Sequence, residues 1–202
     1  MSGARTWMDD GTALFLDAVD RLTDDEFSAP TALDGWTRRH VIAHVHGNAE
    51  ALRRLLTWAA TGVENRMYAD ADQRAREIEE LSALPASELR TLVHGSAKAL
   101  AADMDALPQD AWDALVITAQ GRTVPAREIP FMRAREVCVH AVDLDHGVTF
   151  ADLPADFNTA LAVEAVTRHA GQGQAAGNGQ AAALAAWLTG RADRPPALGP
   201  WL

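Results

Sequence analysis

Glu136 and His140 stand four residues apart in the run Arg133-Ala-Arg-Glu136-Val-Cys-Val-His140-Ala-Val-Asp143-Leu. Residues at that spacing stack on one helical face, so a carboxylate and an imidazole can aim at one point. A second segment, His40-Val-Ile-Ala-His44-Val-His46, carries three more imidazoles. One of them would complete a set of two histidines and one carboxylate. That is the donor count of a catalytic zinc or iron centre that keeps coordination positions open. The ordinary alternative is an exposed i,i+4 pair, or Glu136 bonded to Arg133. Val137, Val139 and Val142 argue instead for a largely buried helix, where unpaired charge is costly and a divalent cation can satisfy it.

Among the three histidines, the helical period favours His44, on a stripe with Val41, Asn48 and Leu52. His40 shares that stripe, but in the first turn, and an HxxxH pair of His40 with His44 stays open from spacing alone. His46 lies about 200° round the helix from His44 and faces elsewhere. No HExxH occurs, which argues against a thermolysin-type protease, and no GxSxG or suitably spaced serine–lysine pair is present. Cys138 lies two residues from each helical ligand, on the opposite face, and reads as a small core residue. His94, His146 and His169 read as surface residues. Arg133, Arg135 and Arg191 could hold substrate carboxylates, because the guanidinium fork matches that geometry.

The elements that must position these groups are mostly helices. Leu14, Phe15, Val19 and Leu22 recur at helical spacing over residues 11–22, and Pro30 and Asp34-Gly35 punctuate the turn that follows. Thr37 is placed to cap a long helix, 38–61, ending before Gly62. A charged helix is expected near 72–82 and another over 86–106, after Pro85. The β-branched runs on either side of Gln120-Gly121, within 115–124, predict a hairpin. Pro125 and Pro130 lead into the helix of Glu136 and His140, which stops near Gly147. Helices follow over 155–170 and 181–190, separated by GQGQAAGNGQ, which has no apolar anchor and reads as a flexible linker over 171–180. The expected fold is mainly α: a four-helix bundle with the ligands inside it and a short β-hairpin.

Composition agrees. The 202 residues suit one domain with a small appendage, and 48% hydrophobic content is ample for a core. Eighteen basic against 28 acidic residues give a formal charge of -10, a surface that repels phosphate backbones, so nucleic acid is not an expected partner. A lone cysteine allows no internal disulfide, as in a reducing cytoplasm. The first residues lack an apolar signal core and no apolar run approaches a membrane span. The expectation is a cytoplasmic protein without a membrane partner.

At the site residues the chain resembles the mycothiol-dependent maleylpyruvate isomerases, of the DinB-like metalloenzyme superfamily. The matching segments are Leu33-Asp-Gly-Trp-Thr-Arg-Arg-His-Val-Ile-Ala-His44-Val, Asn48-Ala-Glu-Ala-Leu and Trp58-Ala-Ala-Thr-Gly62. Two more are Thr118-Ala-Gln-Gly-Arg-Thr-Val-Pro125 and Met132-Arg-Ala-Arg-Glu136-Val-Cys-Val-His140-Ala-Val-Asp-Leu144. They span most of 7–155 in order. The GWT…AH motif alone would indicate only the superfamily, whereas the last two runs together point to the isomerases.

The resemblance implies zinc held by His44, Glu136 and His140; Asp143 is a candidate partner for one of these ligands, since a ligating histidine commonly bonds a carboxylate through its other nitrogen. The resemblance also implies a catalytic arginine at Arg191, in Ala186-Trp-Leu-Thr-Gly-Arg191. The implied reaction is cis–trans isomerisation of maleylpyruvate, a dicarboxylate keto acid, to fumarylpyruvate, with mycothiol as the thiol cosubstrate. Members of the family carry a small α/β domain before their last helix. Here about ten Gly, Gln, Ala and Asn residues and one helix stand in its place. The implied organisation is a DinB-like metal-binding bundle over 1–170, the linker over 171–180, and a C-terminal helix and tail over 181–202. The shortened region motivates two further expectations: a mycothiol S-transferase acting on another electrophile, and a non-catalytic metal-binding module.

Overall fold

The computed structural model describes residues 2–70, 72–175 and 179–197. By internal contacts the chain divides into two units, Met1–Leu153 and Pro154–Leu202. The first contains helices α1 (Ser2–Arg21), α2 (Arg38–Thr61), α3 (Gln73–Ser82), α4 (Ala86–Ala106) and α5 (Ile129–Asp143), with strands β1 (Leu115–Ile117) and β2 (Thr123–Pro125) between α4 and α5. α1 packs on α5, α5 on α2, α2 on α4 and α4 on α1, which closes a four-helix bundle; α3 lies outside it against α2.

α2 shows how the sequence sets these elements. The backbone N–H of Thr37 donates to His40 Nδ1 at 3.1 Å, one half of a capping box that fixes the first turn. Gly62 ends the helix with φ 72°, in the left-handed region, and donates its N–H to the Trp58 carbonyl at 2.8 Å. Between these caps Val41, Val45, Leu52, Leu55 and Leu56 are buried along the face turned to the other helices. Burying each such side chain contributes roughly 1.5–3 kcal/mol before entropy is counted. α5 starts with Pro130 in its first turn, where the missing N–H costs nothing. It stops where Asp145 (φ 48°) and Gly147 (φ 82°) turn the chain.

α1 and α5 approach closely at Gly11. A Cβ at Gly11 would lie 2.4 Å from Cys138 Sγ and 2.9 Å from Val137 Cγ2. Gly11 is therefore what lets the two backbones approach, and buried Cys138 is the core residue that the sequence predicts. α1 begins at Ser2 rather than near residue 11; Gly3 and Gly11 hide its period in the sequence, yet Met8 is buried.

The hairpin pairs Leu115 with Pro125, Val116 with Val124 and Ile117 with Thr123. Its loop spans 118–122, with Gly121 at φ 76° and a bond from the Thr118 N–H to the Arg122 carbonyl at 2.9 Å. Val116 and Val124 point inward and are buried, while Leu115 is exposed, the alternation expected of a strand pair with one covered face.

The second unit contains α6 (Ala155–Ala175) and α7 (Gly179–Leu188), which pack on each other. Helix thus occupies 171–175 and 179–180, which the composition assigns to a flexible linker; residues 176–178 lie outside the described residues. Alanine and glutamine in that stretch are good helix formers, and they outweigh the glycines at about 1 kcal/mol each. Among the described residues this unit contains no strand. No helix is long and apolar enough to cross a membrane among the described residues.

Candidate metal centre

α2 and α5 bring His44, Glu136 and His140 together, and the ligand atoms of the three all lie within 4.8 Å of one another. His44 Nε2 is 2.9 Å from Glu136 Oε2, and His140 Nε2 is 3.6 Å from the same oxygen. The imidazoles meet edge to face, with ring centroids 4.8 Å apart. Donors bound at 2.0–2.2 Å to a tetrahedral ion would lie about 3.3–3.6 Å from one another. Two of the separations, 2.9 and 3.6 Å, lie near that spacing and all three donor atoms fall within 4.8 Å, so the three side chains are within reach of one divalent cation. The side chains are 6%, 12% and 15% exposed, buried enough to raise the cost of leaving them unpaired yet open on one side.

The other histidines of α2 are engaged elsewhere. His40 is tied to Thr37 through Nδ1, and His46 Nδ1 is 3.2 Å from the Leu92 carbonyl oxygen. The geometry therefore separates His44 from its neighbours, which spacing alone does not. His44 is held by packing: Trp36 is tilted against it, with ring centroids 5.6 Å apart, and its Nδ1 is buried without a hydrogen-bond partner. His140 is held by a bond: its Nδ1 lies 2.8 Å from Asp143 Oδ2. A carboxylate on the far nitrogen of a ligating histidine fixes the ring and its tautomer.

The protonation states follow from these contacts. Burial alone would raise the Glu136 carboxyl, but hydrogen bonds to His140 and His44, and their charge, hold it well below the usual carboxylate range. Burial lowers His44 and exceeds the opposing pull of Glu136, while the charges of His140 and Arg74 lower it further. His140 goes the other way: burial opposes its charge, yet the bonds to Asp143 and Glu136 raise it to about 9. With no cation, one proton on His140 neutralises Glu136 and His44 stays uncharged.

The arginines divide. Arg133 is 1% exposed and its Nη1 donates to the Val45 carbonyl at 2.7 Å and to Asn48 Oδ1 at 2.9 Å. It ties α5 to α2 beneath the site, so it cannot hold a substrate carboxylate as its residue type allowed. Burial lowers it to about 10, opposed by the Glu136 charge. Arg135 is buried, its guanidinium 5.9 Å from the Phe131 ring centre. Arg191 lies in the second unit, exposed, where its backbone N–H donates to the Ala186 carbonyl at 2.7 Å as α7 ends. His94 is exposed and paired with Asp20. His169, expected at the surface, is 4% exposed; its alanine- and glycine-rich surroundings offer no apolar stripe from which burial could be read.

Tyr68 and Arg74, which the sequence did not single out, line a recess that His44 also lines. Ala43, His44, Gly47, Tyr68, Arg74, Glu77, Ile78 and Leu81 line this shallow recess between α2, α3 and the segment before α3. Burial raises the Tyr68 phenol, against the Arg74 charge and with those of Glu136 and Glu77, so it stays a hydrogen-bond donor.

Comparisons with known proteins agree with this architecture. A family model described as the mycothiol maleylpyruvate isomerase N-terminal domain matches residues 8–145. A crystal structure of a mycothiol-dependent maleylpyruvate isomerase is 41% identical, with a TM-score of 0.83 over 85% of this chain and 72% of that one. A second, of a histidine-to-alanine mutant of a mycothiol-dependent maleylpyruvate isomerase, is 40% identical, with the same TM-score and coverage. No curated protein matches the chain.

Proposed function

The chain belongs to the mycothiol-dependent maleylpyruvate isomerase family, and from that premise we propose that it isomerises maleylpyruvate to fumarylpyruvate using zinc and mycothiol. The observation that carries the reading is the convergence of His44 Nε2, Glu136 Oε2 and His140 Nε2 from two helices. Two neutral imidazoles and one carboxylate suit zinc and leave part of its coordination sphere free.

The chemistry needs a temporary single bond. The sulfur of a thiolate adds to one alkene carbon, and the π electrons move onto the conjugated carbonyl oxygen. The carbon–carbon bond then rotates. Return of the electrons expels the thiolate and restores the alkene in its trans form, with no net oxidation. When bound, zinc supplies positive charge that keeps the cosubstrate sulfur deprotonated at neutral pH. Glu136 and His140 supply two donor atoms from one helix face, and Asp143 holds the His140 ring so that Nε2 faces inward. His44 supplies the third, held by Trp36. Arg191 keeps the role its motif suggests, binding a substrate carboxylate.

The test is metal analysis with turnover of maleylpyruvate in the presence and absence of mycothiol. Turnover should require both the thiol and about one zinc per chain. An unchanged rate in metal-stripped protein sinks the proposal. Thiol-dependent turnover of other electrophiles alone would make the chain an S-transferase, and bound metal without thiol-dependent turnover a binding module.

A further inference from the structure

The recess beside His44 contains one arginine, Arg74, and one carboxylate, Glu77, and among the described residues the two are not paired. Arg74 is the second residue of α3, and its side chain is exposed at the recess. Among the described residues it makes no hydrogen bond or ion pair; its guanidinium carbon lies 6.0 Å from the Trp36 ring centre, and its charge acts on His44 and Tyr68. Arg76, two residues on, is paired with Asp70 at 2.9 Å. Glu77, the carboxylate that shares the recess, is engaged instead by Gln73, whose Nε2 donates to Glu77 Oε1 at 2.6 Å. The indole under Arg74 is the one tilted on His44 at 5.6 Å, so a single aromatic side chain positions both the cation and the imidazole. Tyr68 lines the same recess. A planar guanidinium fork beside an aromatic face and a phenol is suited to a carboxylate held in two bonds.

We propose that Arg74, seated on Trp36, binds a carboxylate of the dicarboxylate substrate in the recess next to His44. The inference rests on the isomerase reading for the identity of the substrate. It gives the first unit its own determinant of substrate choice, separate from Arg191. The Arg74 fork holds one carboxylate end, Tyr68 borders it, and the remainder of the substrate extends toward the donor atoms of His44 and Glu136.

The experiment uses the zinc-loaded full chain as wild type, Arg74→Ala, Arg74→Lys and Arg76→Ala. Two readouts are taken: kinetics with maleylpyruvate and mycothiol, and calorimetric titration with maleate, a cis-dicarboxylate lacking the ketone. Zinc content checks that the centre is intact. Losing a charge-assisted, two-bond contact should weaken maleate binding and raise KM for maleylpyruvate roughly ten- to hundredfold. KM for mycothiol should stay constant, Arg74→Lys should fall between, and Arg76→Ala should match wild type. Equal maleate affinity in wild type and Arg74→Ala overturns the inference, and so does failure of the wild type to bind maleate. A wild type that binds maleate through Arg74 but does not turn over maleylpyruvate upholds the carboxylate site and refutes the isomerase reading.

Discussion

Replacing Glu136 by glutamine keeps the shape of the side chain and removes one charge, and the structure bounds three consequences. The first is on metal: Glu136 is the anionic member of the three-donor cluster, so zinc content should fall from about one per chain to near zero at micromolar metal. The second is on His140, whose Nε2 is 3.6 Å from the carboxylate. At an effective dielectric constant of about 20, two unit charges at that separation attract by at most about 5 kcal/mol, or about three pKa units. Asp143 keeps its own hold on the ring, so the imidazole of metal-free protein should drop from about 9 by at least one unit. The third is on Arg133, buried with Glu136 as the charge that opposes its desolvation. Breaking a directly paired buried charge costs about 3–5 kcal/mol. Arg133 bonds Val45 and Asn48 rather than Glu136, so a smaller loss of about 1–2 kcal/mol is expected. That lowers Tm by about 2–8 °C for a chain of this size.

The pH sign follows. In metal-free wild type, the raised His140 contributes stability that is fully present below its unfolded pKa of about 6.5 and is lost as pH rises through about 9. In Glu136→Gln that loss should move to lower pH. Zinc analysis, imidazole NMR titration after chelation and thermal melts at pH 6 and pH 9 check all three. Retention of one zinc per chain, with His140 still titrating near its wild-type value, would refute the assignment of Glu136 as the shared anion.

Asp143→Asn should weaken zinc binding roughly ten- to hundredfold, measured by competition with a fluorescent chelator, because the bond to His140 Nδ1 at 2.8 Å loses its charge; unchanged affinity would remove Asp143 from the site. Gly11→Ala should destabilise by about 1–3 kcal/mol, seen in denaturant melts, since the new Cβ would sit 2.4 Å from Cys138 Sγ. Gly95→Ala, in the middle of α4 with nothing within 4 Å of the new atom, should instead stabilise by about 0.5–1 kcal/mol through helix propensity. Destabilisation by both, to the same degree, would show that the α1–α5 approach is not what Gly11 provides.

The parts of this protein that were legible in its sequence are those where one periodicity carries the information. The apolar stripe of α2, its Thr37 and Gly62 ends, and the pairing across Gln120-Gly121 each depend on neighbours in the chain. Glu136 and His140 are legible for the same reason. What local pattern cannot supply is direction within a charged run. Arg74 lies in a helix whose residues are nearly all polar, QRAREIEELS, and only the position of α3 against α2 brings it to the recess. Likewise Gly11 looks like a helix breaker until Cys138 is seen across from it.

Arg133 is the instructive middle case. It stands at i−3 from Glu136 and i−7 from His140, so its inward direction could be read, but not its partners, which come from α2. Once placed, it explains the charge balance of the site. The buried face of α5 carries Arg133, Glu136, His140 and Asp143, while α2 contributes the uncharged His44 and Asn48. With His140 protonated, two formal positive charges meet two negative ones and the cluster is neutral. A divalent cation that takes the place of the His140 proton leaves the cluster with one net positive charge, in a chain whose total is strongly negative. On the proposed isomerase reading, local charge, rather than the overall field of the protein, would then draw an anionic sulfur and an anionic substrate to this end of the bundle.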